Sequence, residues 1–130
     1  MSSSIFTKII KREITGVFVY EDDEVVALMD KFPAMEGQVL VIPKKEIDSV
    51  FDIPDELYTK LWLTAKKVAR AMDTALSPRR VCVVVEGFEV PHAHVRLYPV
   101  PEGAPLDIKG GPEMSNDKLE RIAKKIRAAL

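Results

Sequence analysis

Val90-Pro91-His92-Ala93-His94-Val95-Arg96-Leu97-Tyr98 alternates polar and apolar side chains and holds both histidines of the chain. A period of two marks a strand with one buried side. Read as extended, Ala93, Val95 and Leu97 face a core, while His92, His94, Arg96 and Tyr98 share the other face. Two imidazoles and a guanidinium make a poor core and a good anion site. The apolar half commits the stretch to a sheet, and its neighbours show which kind.

Upstream, Val81 to Val85 reads as another strand, joined to the histidine strand by a turn at Glu86-Gly87. Val17 to Tyr20 and Val25 to Met29 are β-rich runs separated by Glu21-Asp22-Asp23-Glu24, the pattern of a hairpin. Asp30 to Gly37 is a loop punctuated by Pro33, and Gln38 to Ile42 is a further strand. Between these strands lies a long helix from Pro54 to about Leu76. Leu57, Leu61, Ala65, Val68, Met72 and Leu76 form its apolar stripe, and Ser77-Pro78 ends it. Ser4 is placed to cap a short helix carrying Ile5, Phe6, Ile9 and Ile10. Four prolines from Pro99 to Pro112, with Gly110-Gly111, describe a loop crossing the surface. A last helix is expected near Asp117, with Glu120 in a capping box and Leu119, Ile122, Ala123 and Ile126 buried. Tight turns between successive strands, with helices set apart, predict an antiparallel α+β fold of about five strands in a single domain over residues 1–130.

The chain has 130 residues, enough to bury a core without disulfides or metal. Lys and Arg total 19 against 20 for Asp and Glu, so no global field favours nucleic acid or an anionic membrane. The basic last helix therefore reads as a solvated face. The single cysteine, Cys82, sits in an apolar run and reads as a buried, inert thiol suited to a reducing cytoplasm. The opening Met1-Ser2-Ser3-Ser4-Ile5 lacks the basic start and apolar core of a signal peptide. No apolar run approaches a membrane span. A cytoplasmic location is expected.

A neutral imidazole is nucleophilic near neutral pH and can hold a nucleotidyl group as a phosphoramidate. Donors two residues away can stabilise the charge that develops on the phosphate. The histidine pair alone would equally suit a polar strand face with satisfied rings. A metal is disfavoured, because Asp, Glu and Cys are missing at nearby ligand spacing.

The ordered motifs decide further. Ser4-Ile5-Phe6-Thr7-Lys8-Ile9-Ile10 is similar to the CIFCKII opening of the histidine triad (HIT) family of nucleotide hydrolases and transferases. Val19-Tyr20-Glu21-Asp22-Asp23-Glu24-Val25 resembles its VYEDDEV hairpin. Asp30, Pro33 and Gly37 precede Val39-Leu40-Val41-Ile42-Pro43-Lys44-Lys45 as in D-x-x-P-x-x-x-G-H-x-L-V-I-P-K-K. Glu89-Val90-Pro91-His92-Ala93-His94 with Pro99 resembles E-V-P-H-x-H-x-H-x-x-P. The resemblance covers residues 4 to 100. The segment from 101 to 130 matches no family motif, and its loop is expected to shape the leaving-group side of the pocket.

The resemblance implies an enzyme with His94 as nucleophile toward a nucleotide's α-phosphorus and His92 as a supporting ring. It makes Asp30 the acceptor of ribose hydroxyls and places Ile5, Phe6, Ile9 and Leu28 around the base. It also implies a homodimer through the long helix and a neighbouring strand, with Trp62 helping to cover the partner. No cofactor is implied.

Several positions depart from the family pattern. Arg96 replaces the third histidine, and a guanidinium binds phosphate but cannot donate a proton in ordinary catalysis. Gln38 stands at the histidine of G-H, Glu46 at the histidine after K-K, and Phe88 at a phosphate-side glutamine before Glu89. Ser4 and Thr7 replace two cysteines that bind zinc in some members, which argues against a structural zinc. Three readings follow: a hydrolase of a nucleoside phosphoanhydride, a nucleotide-binding module that has lost its chemistry, and a nucleotidyl transferase. Lys44-Lys45 reads as a solvated strand end, and Tyr98 as a residue packing at the sheet's end.

Overall fold

The computed structural model describes residues 3–130. Its five strands are β1 (Phe18–Glu21), β2 (Val25–Met29), β3 (Val39–Pro43), β4 (Arg80–Val84) and β5 (Val95–Val100). They form one antiparallel sheet in the order β1-β2-β3-β5-β4. Helix α1 spans Ile5–Ile10, α2 Asp55–Leu76 and α3 Asn116–Ala128, with a 3₁₀ turn at Val50–Asp52. The expected α+β architecture is present.

Every residue of β2 and β3 is buried, because the sheet is covered on both faces. On one face Val25, Ala27, Met29, Val39 and Val41 pack against Leu61, Ala65, Val68 and Met72 of α2, with Leu119, Ile122 and Ile126 of α3. On the other, Val26, Leu28, Leu40 and Ile42 pack against Phe6 of α1. Helix α1 is short and covers only part of that second face. The remainder is open, and the cavity described below occupies it.

Local chemistry fixes the joints. Asp22 closes the β1–β2 hairpin by accepting from the backbone N–H groups of Glu24 (2.8 Å) and Val25 (2.9 Å). Burial acts to raise the Asp22 carboxyl, but these bonds and the Tyr20 hydroxyl hold it at about 2. Glu21, bonded to Arg12 and Lys44, is likewise held at about 2. Lys44 is thus a structural partner, 2.9 Å from Glu21. At the far end of α2, Ser77 turns left-handed (φ 48°) before Pro78, where the proline ring disfavours another helical residue.

Four expectations need correction. The histidine strand begins at Val95, so the segment 90–94 bends instead of extending, and its rings do not all share one open face. The capping box of α3 is absent: Ser115 caps onto the Lys118 N–H (3.3 Å), whereas Glu120 pairs with Arg127. Helix α3 buries Leu119, Ile122, Ala123 and Ile126 as expected, but its basic face is not wholly solvated, since Arg127 donates to the Phe18 carbonyl (2.7 Å). Cys82 lies on the edge strand β4 and is only half-buried.

Gly37 needs its lack of a side chain. Its φ is +94°, and a Cβ there would stand 2.6 Å from Leu76 Cδ1. Gly37→Ala should therefore cost about 1–3 kcal/mol, through left-handed strain and displacement of the α2 terminus. Urea unfolding of the variant beside the parent measures this.

Candidate active site

A cavity of about 590 Å³ opens on the face that α1 leaves partly uncovered. His94, Arg96, Asp30, Gln38, Phe88 and Glu89 all line it. So do Ile5, Phe6, Ile9 and Leu28, the residues expected around a base. His92 does not line it.

His92 is instead wholly buried, at 0% exposure. Its Nε2 lies 2.7 Å from the Pro43 carbonyl oxygen, which can only accept, so Nε2 carries the proton. Burial lowers the His92 pKa, against the opposing influence of the Pro43 carbonyl and Glu46, so the ring is neutral. Its Nδ1 is then an acceptor, and the Ser4 hydroxyl donates to it at 2.7 Å. Thr7 Oγ1 stands 3.4 Å from the same nitrogen and donates to Glu46 Oε1 at 2.7 Å. Glu46 Oε1 also accepts from the Ser4 backbone N–H at 2.7 Å. These four residues tie α1, the end of β3 and the 90–94 bend into one hydrogen-bonded cluster.

Such a donor set does not fit zinc. It holds two hydroxyls, one carboxylate and one imidazole with no thiolate, and its members already satisfy one another. Sequence reasoning noted each of the three substitutions but missed that they are mutually bonded. Oxygen-bearing side chains at Ser4, Thr7 and Glu46 together were the available signal.

His92 acts on His94 through its backbone. The His94 Nδ1–H donates to the His92 carbonyl oxygen at 2.8 Å. Burial lowers the His94 pKa and the Arg96 charge adds to the effect, outweighing the bond to His92. A neutral ring with its proton on Nδ1 leaves a lone pair on Nε2. Among the described residues that nitrogen has no partner, yet Trp62 Nε1 is the one fully buried side-chain polar atom among them without a partner. Nε2 therefore opens onto the cavity. Phe6 packs edge-on against the His94 ring, centroids 4.9 Å apart, fixing its tilt.

Arg96, two residues along, is anchored through one nitrogen. Its Nη1 lies 3.1 Å from the Tyr98 hydroxyl and 3.3 Å from Glu86 Oε1. Tyr98 is fully buried, so it packs and at the same time holds the guanidinium. Across the cavity, Asp30 accepts from the Phe32 N–H (2.8 Å) and from Gln38 Nε2 (2.7 Å). Gln38 in turn accepts from the Ala34 N–H (2.8 Å), which orients its amide. Burial raises the Asp30 carboxyl, against the lowering influence of the Phe32 N–H and the Arg96 charge.

The C-terminal loop supplies a wall that motif reading did not resolve into residues: Asp107, Ile108, Lys109 and Gly110 line the cavity. The loop is pinned to the Asp30–Pro33 turn. Gly111 donates to the Phe32 carbonyl (3.2 Å) and Met114 to that of Lys31 (2.9 Å). A Cβ on Gly111 would lie 2.5 Å from the Pro33 carbonyl oxygen.

The family model that matches is the HIT domain, over residues 11–100. The chain is 35% identical to an adenosine 5'-monophosphoramidase of Saccharomyces cerevisiae, across 99% of this chain and 84% of that protein. It is similar to the crystal structure of a HIT-like protein involved in cell-cycle regulation from Bartonella henselae, with a TM-score of 0.89, 36% identity and coverage of 98% and 96%. A hypothetical histidine triad nucleotide-binding protein from Sulfolobus tokodaii superposes with a TM-score of 0.86 at 29% identity, covering 95% of this chain and 89% of that one.

Both imidazoles titrate lower in the fold than the value of about 6.5 expected in an unfolded chain. The folded state then binds fewer protons than the unfolded state as the pH drops. Stability should be full above about pH 7 and fall as the pH passes below about 6.5. The contributions of Glu21 and Asp22 are lost only below about pH 5. Urea midpoints between about pH 7.5 and 5.5 should decline with acidification, and a flat profile would contradict the neutral-ring assignment.

Proposed function

The chain belongs to the HIT domain family, and on that footing we propose that it hydrolyses a nucleoside phosphoanhydride, of the dinucleoside polyphosphate kind, through a nucleotidyl-His94 intermediate. The observation that carries this is the His94 Nδ1–H bond to the His92 carbonyl, which leaves Nε2 unprotonated at the cavity. Nε2 attacks the α-phosphorus, the bond to the leaving phosphate oxygen breaks, and that group departs as an anion. Water then attacks the same phosphorus, the N–P bond breaks with its electron pair returning to Nε2, and one water proton is released.

Ile5, Phe6, Ile9 and Leu28 hold the base, and Asp30 with Gln38 takes the ribose hydroxyls, since a carboxylate can accept from both members of a diol. Phe88 and Glu89 lie on the phosphate side. Arg96 occupies the third histidine's place and offers charge without a transferable proton. That favours leaving groups that depart as anions over amines that must be protonated. The yeast relative is named for a phosphoramidate, and the preference proposed here differs from that name because of Arg96.

A binding module without chemistry is the second reading, favoured by the altered Gln38, Phe88 and Arg96; transfer of the nucleotide to a phosphate acceptor is the third. The working form is proposed as a cytoplasmic homodimer through α2 and β4. Support comes from the edge position of β4, the exposed Val83 and Leu63, and the unpartnered Trp62 indole.

Turnover of diadenosine tetraphosphate should exceed that of adenosine phosphoramidate, and intact-mass measurement should find a nucleotidyl adduct. His94→Ala should abolish the adduct and lower turnover by roughly three orders of magnitude or more. Arg96→His, by restoring a proton donor, should shift preference toward the phosphoramidate. Nucleotide binding with neither adduct nor turnover would favour the second reading.

A further inference from the structure

Release of a nucleotide from His94 requires that the attacking water lose a proton, and Arg96 cannot accept one. Among the described residues, four carboxylates line the cavity: Asp30, Glu86, Glu89 and Asp107. Asp30 is engaged by the Phe32 N–H and the Gln38 amide, on the side assigned to the ribose. Asp107 accepts from the Lys109 N–H within the C-terminal loop (2.9 Å). Glu89 makes no bond to the guanidinium. Glu86 lies 3.3 Å from Arg96 Nη1, within one ion-pair length of the cation that would bind the phosphate oxygens.

Resting on the covalent reading above, we infer that Glu86 is the general base for hydrolysis of nucleotidyl-His94. Glu86 is partly exposed, at 29% for its side chain, so water reaches it; Arg96, at 16%, is more enclosed. Because Nη1 is shared between Glu86 and the Tyr98 hydroxyl, the other guanidinium nitrogens remain for the phosphate. The carboxylate thus sits beside the charged end of the substrate without blocking it. In the step, water's oxygen bonds to phosphorus while Glu86 takes one of its protons. The P–Nε2 bond breaks, its electron pair returns to the ring, and His94 regains its neutral form with the proton on Nδ1. The mononucleotide leaves, and Glu86 passes its proton to solvent. The attack that forms the intermediate involves no proton transfer to Glu86. Loss of the carboxylate therefore separates the two halves of the cycle.

Rapid quenching of the full-length protein with diadenosine tetraphosphate, followed by intact-mass analysis, tests this. Glu86→Gln should form the adduct at close to the parent rate and lose it roughly 100-fold more slowly, so that modified protein accumulates. Glu86→Asp, which retains a carboxylate, should recover part of the decay rate. Formation of the adduct itself reports that each variant is folded. An adduct that decays equally fast in parent and Glu86→Gln would overturn the role of Glu86 while leaving the covalent reading intact. Absence of any adduct in the parent protein and in both variants would overturn the two together.

Discussion

The buried ring of His92 is the point through which the site is assembled. It receives the Ser4 hydroxyl on one nitrogen, donates to Pro43 on the other, and presents its own carbonyl to His94. Each bond joins a different segment: α1, the end of β3, and the bend that leads into β5. A polar ring removed from water is costly unless both nitrogens are satisfied, and here both are. The same bonds that offset its burial also set the proton position on the neighbouring ring. Stability and reactivity therefore share one set of contacts.

Around this point the site divides by chemistry. One side is apolar, built where α1 covers the sheet incompletely, and suits a flat base. The other gathers the open imidazole nitrogen, a guanidinium and a carboxylate around Arg96, and suits phosphate. Asp30 and Gln38 stand as a bonded pair between the β2–β3 turn and the cavity. The sheet supports both sides. The register pairs Arg96 with Leu40 on one neighbour and Val84 on the other, so the cation rises from the centre of three strands. A side chain rooted there is held more firmly than one on a loop.

Much of this was readable from sequence because it is periodic. The stripe Leu61, Ala65, Val68 and Met72 announced α2, and the alternation Val95-Arg96-Leu97 placed Arg96 on the open face. Of the site residues that the motifs named, all but His92 line the cavity. What escaped was non-local or non-periodic. The bend at 90–94 buries His92 because Ser4 and Pro43 wait for it, and no pattern in five residues reveals partners 88 and 49 positions away. Glu120 fits a capping box on paper, yet it is Ser115, two residues before the expected start, that caps α3. Glu86 looked like a turn residue, and its proximity to Arg96 depends on how the segment 85–94 between β4 and β5 folds back.

The C-terminal wall has a different character from the rest. Its backbone is fastened at Ala104, whose carbonyl accepts from Arg79 (2.6 Å), and at Gly111 and Met114, where bulk or loss of an N–H would be felt, but Asp107, Ile108 and Lys109 hang between these fasteners without entering either core. Selection can therefore exchange these three side chains at little cost to folding, whereas altering the opposite wall means altering the packing of α1 itself. A chain that keeps its imidazole facing the cavity could vary what that cavity accepts along just such a strip, with the fasteners constant and the residues between them free to drift.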